Sequence, residues 1–279
     1  MTTQVATVTA SFGSAVESPV LSIVTPLPQG WSDFDINLAR FATESDFRAV
    51  EVVAVAPRAT GDAIAQALRQ YASFYEVCVT LVLSDAPLDY HEALQAGARV
   101  ARADKLLFLS SAVFPRARGW LGRLLMELQR VPDAGAISPT LLYEDESVRF
   151  AGNAAMPDFK AGGLIERFRG YGRHWLEGEE PAAIWAGTAE CCVVWKELFF
   201  EIGGFSQRFM DADLKTLDLG LRLRAAGRKY YWIPSVTMYA LDCNSGEPSE
   251  YWSRVRRLVD LWGFQCKWSR SLSERRSFR

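Results

Sequence analysis

The apolar positions of the first half fall into short continuous runs separated by stretches of helical period. The runs "VLSIVTP" (Val20–Pro26), "AVEVVAVAP" (Ala49–Pro57), "VCVTLVLS" (Val77–Ser84) and "KLLFLSS" (Lys105–Ser111) suit buried strands. Between them, "DINLARFATES", "GDAIAQALRQYASF" and "YHEALQAGARVARA" predict amphipathic helices, and "GWLGRLLMELQRV" predicts another, stopped by Pro132. Near-continuous Val/Leu strands alternating with helices predict an α/β fold whose mostly parallel sheet is covered on both faces. Open sheets of this kind place ligands just beyond the carboxyl ends of their strands. The end of the fourth run, Ser110–Ser111–Ala112, is therefore a position to watch.

The second half is less regular. "EEPAAIWAGTAECCVVW" reads as a loop entering a strand, and "KELFFEIGGF" as a short helix closed by Gly203 and Gly204. "DLKTLDLGLRLRAAG" predicts an amphipathic helix stopped at Gly227, with Asp211 and Asp213 as acids at its start; "KYYWIPSVTMYAL" is an extended run. Residues 1–18, rich in Ser and Thr, read as a flexible tail, 19–246 as the folded unit, and 247–279 as a basic helical segment. In that last segment Trp252, Val255, Leu258, Val259 and Trp262 recur at helical spacing, with Arg254, Arg256 and Arg257 largely off their face. Such a helix either closes against the domain or a partner, or lies on an anionic membrane.

Composition narrows the classes. The chain has 279 residues, 49% of them hydrophobic, and a formal net charge of −2, which argues against a nucleic acid partner. The last 30 residues carry eight Arg or Lys against three acids, so the other 249 sum to −7. Five cysteines without a CxxC pattern suggest buried, reduced thiols and a cytoplasmic setting, peripheral at the inner membrane face if the terminal helix binds lipid. Two histidines exclude a histidine-rich metal centre. No signal-like start and no run of 18 apolar residues occurs. The Gly-rich loops of dinucleotide enzymes and P-loop proteins, and the GxSxG elbow, are also missing.

In order along the chain, "LLFLSSAVFPRARGWLGRLL", "LLYEDESVRFAGN", "AGTAECCVVW" and "WKELFFEIGGFSQRFMDADLKTLDLGLRLRAAGRKYYWIPSVTMY" resemble family 2 glycosyltransferases of the GT-A fold, over roughly 20–246. The resemblance implies a nucleotide-diphospho-sugar transferase fold and a place in surface polysaccharide or glycoconjugate biosynthesis. It also implies a nucleotide-binding aspartate, a D-x-D metal pair, an acidic pair supplying the base and a late histidine. This sequence departs from the pattern at each of these: Ala56, then Ser110 and Ala112 around Ser111, then Lys215 and Thr216, then Ala240. Gln95 stands where an asparagine often sits.

The cleft positions expected to meet substrate are Ala56, Gln95, Ser110, Ser111, Trp185, Thr216 and Ser245. The candidates for a base are Asp218, within the helix motif, and Glu190, an acid entering an apolar strand. Serine and alanine make poor ligands for Mg²⁺ or Mn²⁺, so no divalent metal or other cofactor is expected. The sequence thus describes a transferase fold whose site is inactive or independent of metal. A non-catalytic pseudoenzyme that binds or scaffolds an active glycosyltransferase partner is the alternative. An unrelated nucleotide-binding α/β protein is disfavoured, since no phosphate loop is present.

Overall fold

In the computed structural model, residues 7–27, 34–155, 164–241 and 250–273 are described. The strands are β1 (Thr7–Phe12), β2 (Leu21–Pro26), β3 (Val50–Pro57), β4 (Cys78–Ser84), β5 (Lys105–Leu109), β6 (Val113–Pro115), β7 (Ala134–Leu142), β8 (Val148–Phe150), β9 (Asn153–Ala155), β10 (Leu164–Glu166), β11 (Ala182–Ile184), β12 (Cys191–Trp195) and β13 (Lys229–Ala240). The helices are α1 (Phe34–Ala42), α2 (Arg58–Phe74), α3 (Tyr90–Val100), α4 (Trp120–Arg130), α5 (Lys196–Glu201), α6 (Ala212–Ala225) and α7 (Glu250–Ser273). The main sheet runs β1-β4-β3-β2-β5-β12-β7-β13-β11, with β6 on β13 and β8 on β7; β9 and β10 pair separately. Strands β4, β3, β2 and β5 are mutually parallel, β12 is antiparallel to both β5 and β7, and β13 is parallel to β7. The carboxyl ends of β2, β3, β5, β7 and β13 therefore open on one edge, where the amino end of β12 also arrives.

The predicted α/β architecture is what the chain adopts. Strands β2 and β7 are buried at every residue, as strands covered on both faces must be. Helix α3 lies so close on the sheet that a Cβ at Gly97 would sit 2.4 Å from a Val24 methyl. Its start is fixed by a capping box: Asp89 accepts from the Glu92 amide, and Glu92 reaches back to the Asp89 amide.

Two expectations need correction. The stretch read as a tail, 1–18, contributes β1, which adds an antiparallel edge to β4. Alternating short polar and apolar residues there form a strand that composition alone disguises as flexible chain. Gly13 then turns the chain at φ 76°, and a Cβ there would lie 2.2 Å from the Val77 carbonyl oxygen. Second, α6 is not half-exposed. It is buried without a break from Leu214 to Leu221, including Lys215, Thr216 and Asp218. Helix α7 supplies much of the cover: Phe264 and Trp268 join Leu214, Leu217 and Leu221 in a second apolar cluster beside the main core. Asp260 of α7 also accepts from the amides of Met210 and Asp211, at 2.5 and 2.6 Å, just where α6 begins. Of the cysteines, Cys78, Cys191 and Cys192 are buried as expected, Cys266 is exposed, and Cys243 lies outside the described residues.

Candidate functional site

The end of β5 is clamped by its neighbours rather than opened for charge. The Ser110 amide donates to the Glu190 carbonyl at 2.8 Å, and the Ser110 hydroxyl accepts from the Ala112 amide at 3.3 Å. The Ser111 carbonyl accepts from the Asn37 side-chain amide of α1 at 2.8 Å. The Ala112 carbonyl accepts from the Leu241 amide at 3.0 Å, so the exit of β13 closes on this point. Ala112 is buried, whereas Ser110 and Ser111 are partly exposed.

Glu190 is delivered to the same point by a loop that its surroundings hold firmly. The Asn153 side chain accepts from the Trp185 and Ala186 amides, at 3.1 and 3.2 Å, and donates to the Ala186 carbonyl at 2.5 Å. Gly187 lies against the Tyr230 ring, where any Cβ would fall 2.0–2.2 Å from ring atoms. The buried Ser138 hydroxyl accepts from the Thr188 amide at 3.3 Å, donates to the Cys191 carbonyl at 2.8 Å and meets the Tyr230 hydroxyl at 2.9 Å. The Tyr90 hydroxyl donates to the Ala189 carbonyl at 3.2 Å. Burial, and then the charge of Glu190, holds that hydroxyl well above its usual pKa, so it stays a neutral donor.

Beside Glu190 lies Arg149 of β8, whose Nη2 donates to Glu190 Oε1 at 2.6 Å and whose Nη1 donates to the Ala240 carbonyl at 3.4 Å. Its guanidinium carbon stands 5.8 Å from the centre of the Tyr143 ring. The pair keeps contact with water: the side chains are 20% and 34% exposed. Sequence reasoning singled out Glu190 but not Arg149, Asn153, Tyr90, Ser138 or Tyr230. For Arg149 and Asn153 the only signal was their place in "VRFAGN".

The other expected site residues are scattered. Ala56 is buried near the end of β3. Gln95 faces the Gly204 turn, its Oε1 accepting from the Phe205 amide at 2.8 Å. Trp185 packs against the second apolar cluster, with the Arg224 guanidinium 4.3 Å above its ring. Thr216 is buried against α3, 3.4 Å from His91 Nε2, and Lys215 pairs with Asp89 at the start of that helix. Asp218 is fully buried: Oδ2 accepts from Arg222 Nε at 2.7 Å, and Oδ1 from Lys267 Nζ at 2.6 Å and Trp268 Nε1 at 2.8 Å. Ser245 lies outside the described residues. The structure thus brings Glu190, Ser110 and Ser111 together at the strand end, while Thr216, Gln95 and Asp218 are engaged with neighbouring helices and turns.

This arrangement of strands matches solved glycosyltransferases. GalNAc-T7 with UDP, GalNAc and Mn²⁺ superposes with a TM-score of 0.61 at 15% identity, over 82% of this chain and 45% of that one. The mannosyltransferase PcManGT from Pyrobaculum calidifontis, in complex with GDP-Man and Mn²⁺, gives 0.60 at 20% identity, over 91% and 65%. The chain has the GT-A glycosyltransferase fold. In sequence it is 28% identical over 192 residues to the uncharacterized protein y4gI of Sinorhizobium fredii, and 28% over 156 residues to the O-antigen biosynthesis protein RfbC of Myxococcus xanthus. These matches cover 64% and 51% of this chain, but only 20% and 11% of the relatives' own lengths. No family model matches.

The neighbours overturn one expectation. The absence of a divalent metal was inferred from residue types alone, yet both solved GT-A structures hold Mn²⁺. The β5 end of this chain does not reproduce a carboxylate ligand set. Ser110 and Ser111 offer hydroxyls, Ala112 a methyl group, and the nearby Glu190 carboxylate is paired with Arg149. Among the described residues no three His, Cys, Asp or Glu side chains are grouped for a metal.

Proposed function

We propose that this protein binds a nucleotide-diphospho-sugar in the cleft at the carboxyl ends of β2, β3 and β5, acting in the cytoplasm in surface polysaccharide or glycoconjugate assembly, with transfer slow or lost. The observation that carries this reading is the convergence of Ser110, Ser111, Glu190 and Arg149 at the strand ends of a GT-A fold. The UDP and GDP-Man of the two solved neighbours support the ligand class, and the name of the RfbC relative supports the setting. Weak transfer follows from α6, whose Lys215, Thr216 and Asp218 are buried against other helices and present no carboxylate to the cleft. A positioned base contributes about 10²–10⁴-fold to rate, and the loss of that contribution is what makes transfer slow or absent in this reading.

Calorimetric titration with UDP, GDP, dTDP and their sugars, each with and without Mn²⁺, tests the reading. Micromolar binding of at least one nucleotide is the expected result; no binding at millimolar concentration would overturn it. The buried α6 also favours a second reading, in which the fold serves as a non-catalytic partner of an active glycosyltransferase. That reading predicts a stable complex on co-purification and no sugar transfer.

Peripheral contact with an anionic membrane belongs to the same proposal. Helix α7 docks one face on the domain and leaves Leu258, Val259 and Trp262 exposed beside the exposed Arg257. Removing the helix would also strip cover from α6, so point substitutions are the cleaner test. Leu258→Ser with Trp262→Ser should reduce pelleting with anionic vesicles about tenfold or more, since each large apolar side chain contributes roughly 1.5 kcal/mol or more on burial. Equal pelleting of both forms would remove the membrane from the proposal.

A further inference from the structure

The pair Arg149–Glu190 stands at the carboxyl end of β5, where the Ser110 amide meets the Glu190 carbonyl. It is part-buried and keeps contact with water. Yet its position is tightly specified. Arg149 is tied to the Ala240 carbonyl at the end of β13, and Glu190 follows a loop pinned by Asn153, Ser138 and Tyr230. The pair sets strong acceptors and strong donors side by side on one water-accessible spot, with the Tyr143 ring beneath the guanidinium.

Two adjacent hydroxyls of a sugar are complementary to that spot. One donates to the Glu190 carboxylate while the other accepts from Arg149, and charge-assisted hydrogen bonds of this type are the strong ones. The geometry points to Arg149 and Glu190 as a subsite for a vicinal diol of a sugar ring, which deepens the nucleotide-sugar reading and rests on it. The diol belongs either to the sugar of the donor or to an acceptor saccharide. The shared chemistry is the same, and two arms separate the sources.

In the first arm, affinities for nucleoside diphosphates and the matching nucleotide-sugars are compared by calorimetry. In the second, saccharides alone are followed by saturation-transfer NMR with UDP present. Glu190→Gln, which keeps the shape and one acceptor, and Arg149→Lys, which keeps the charge without the fork, should lower sugar-dependent binding in one arm by about 10- to 100-fold, the loss expected for hydrogen bonds to charged groups. Nucleoside diphosphate affinity and thermal midpoint should stay at wild-type values. Sugar-dependent binding by both variants equal to wild type, in both arms, overturns the subsite. Wild-type binding of nucleoside diphosphate with no sugar dependence in either arm also overturns it, while leaving the nucleotide site standing. Absence of all nucleotide binding overturns the nucleotide-sugar reading, and the saccharide arm repeated without UDP then decides the subsite.

Discussion

Asp218→Ala is expected to cost about 3–5 kcal/mol of stability, the range for breaking a buried ion pair from one side, and to leave nucleotide affinity of the folded protein unchanged. The carboxylate is fully buried and accepts from Arg222, Lys267 and Trp268 at once. Arg222 in turn donates to the Ile202 and Gly204 carbonyls, so one acid joins α6 to the Gly203–Gly204 turn and to α7. Removing it leaves the buried Trp268 indole N–H without its acceptor and takes away the carboxylate shared by Lys267 and Arg222, although Arg222 keeps its two carbonyls and Lys267 keeps contact with water. Asp218→Asn supplies the control, because it keeps an acceptor for Lys267 and Trp268 but cannot accept a second charge-assisted bond from Arg222. Urea unfolding followed on both variants, with calorimetry on the folded protein, separates this role from a catalytic one. Stability within about 1 kcal/mol of wild type together with abolished transfer would restore Asp218 as a base.

The contrast between Asp218 and Glu190 shows what the sequence made legible. Strands β2 to β5 and the intervening helices were readable because each is a local pattern: a run of buried β-branched residues, or an apolar stripe of helical period. The strand end at Ser110 and Ser111 was readable for the same reason, since the end of a buried run marks the cleft of an open sheet. Partners were not. Nothing near Asp218 in the chain announces Lys267 and Trp268, 49 and 50 residues away. Arg149 likewise stands 41 residues from Glu190, and an isolated arginine on a three-residue strand carries no period to notice. The burial of Lys215 and Thr216 was hidden because it depends on α7 and α3 packing against α6, an outcome of tertiary structure that no window of sequence contains. The edge strand β1 was missed for a smaller reason: Thr7–Phe12 alternates polar and apolar residues as a strand does, but the Ser- and Thr-rich composition around it reads as tail.

The buried histidine beside Thr216 sets the second large effect. Lowering the pH from 6.5 to 4 should cost about 3 kcal/mol of stability through His91 alone. Burial, reinforced by the Lys215 ammonium and opposed by Asp89, lowers the His91 pKa from 6.5 to about 4. The imidazole is 4% exposed, stacked edge-on against Phe205 at 4.7 Å and hydrogen-bonded to Thr216. In this window the unfolded chain takes up a proton that the folded protein refuses, so the unfolded state gains as pH falls. The stabilisation is complete above 6.5 and is lost as pH falls towards 4, at about 1.4 kcal/mol per unit of pKa difference. Asp89 does not blur the reading. Burial raises its pKa, but the Lys215 hydrogen bond and the helix-start amide outweigh that and bring it below 3.8, so its own contribution is lost only in more acid solution. His91→Gln keeps a hydrogen-bonding side chain without a titrating ring. The difference in unfolding free energy between wild type and His91→Gln should therefore fall as pH drops from 6.5 to 4, the other titrating groups being common to both, and parallel profiles for the two proteins would show that His91 is charged in the folded state. A charged His91 would put a proton donor next to Thr216 of α6. A neutral one means the chain has filled that position with packing.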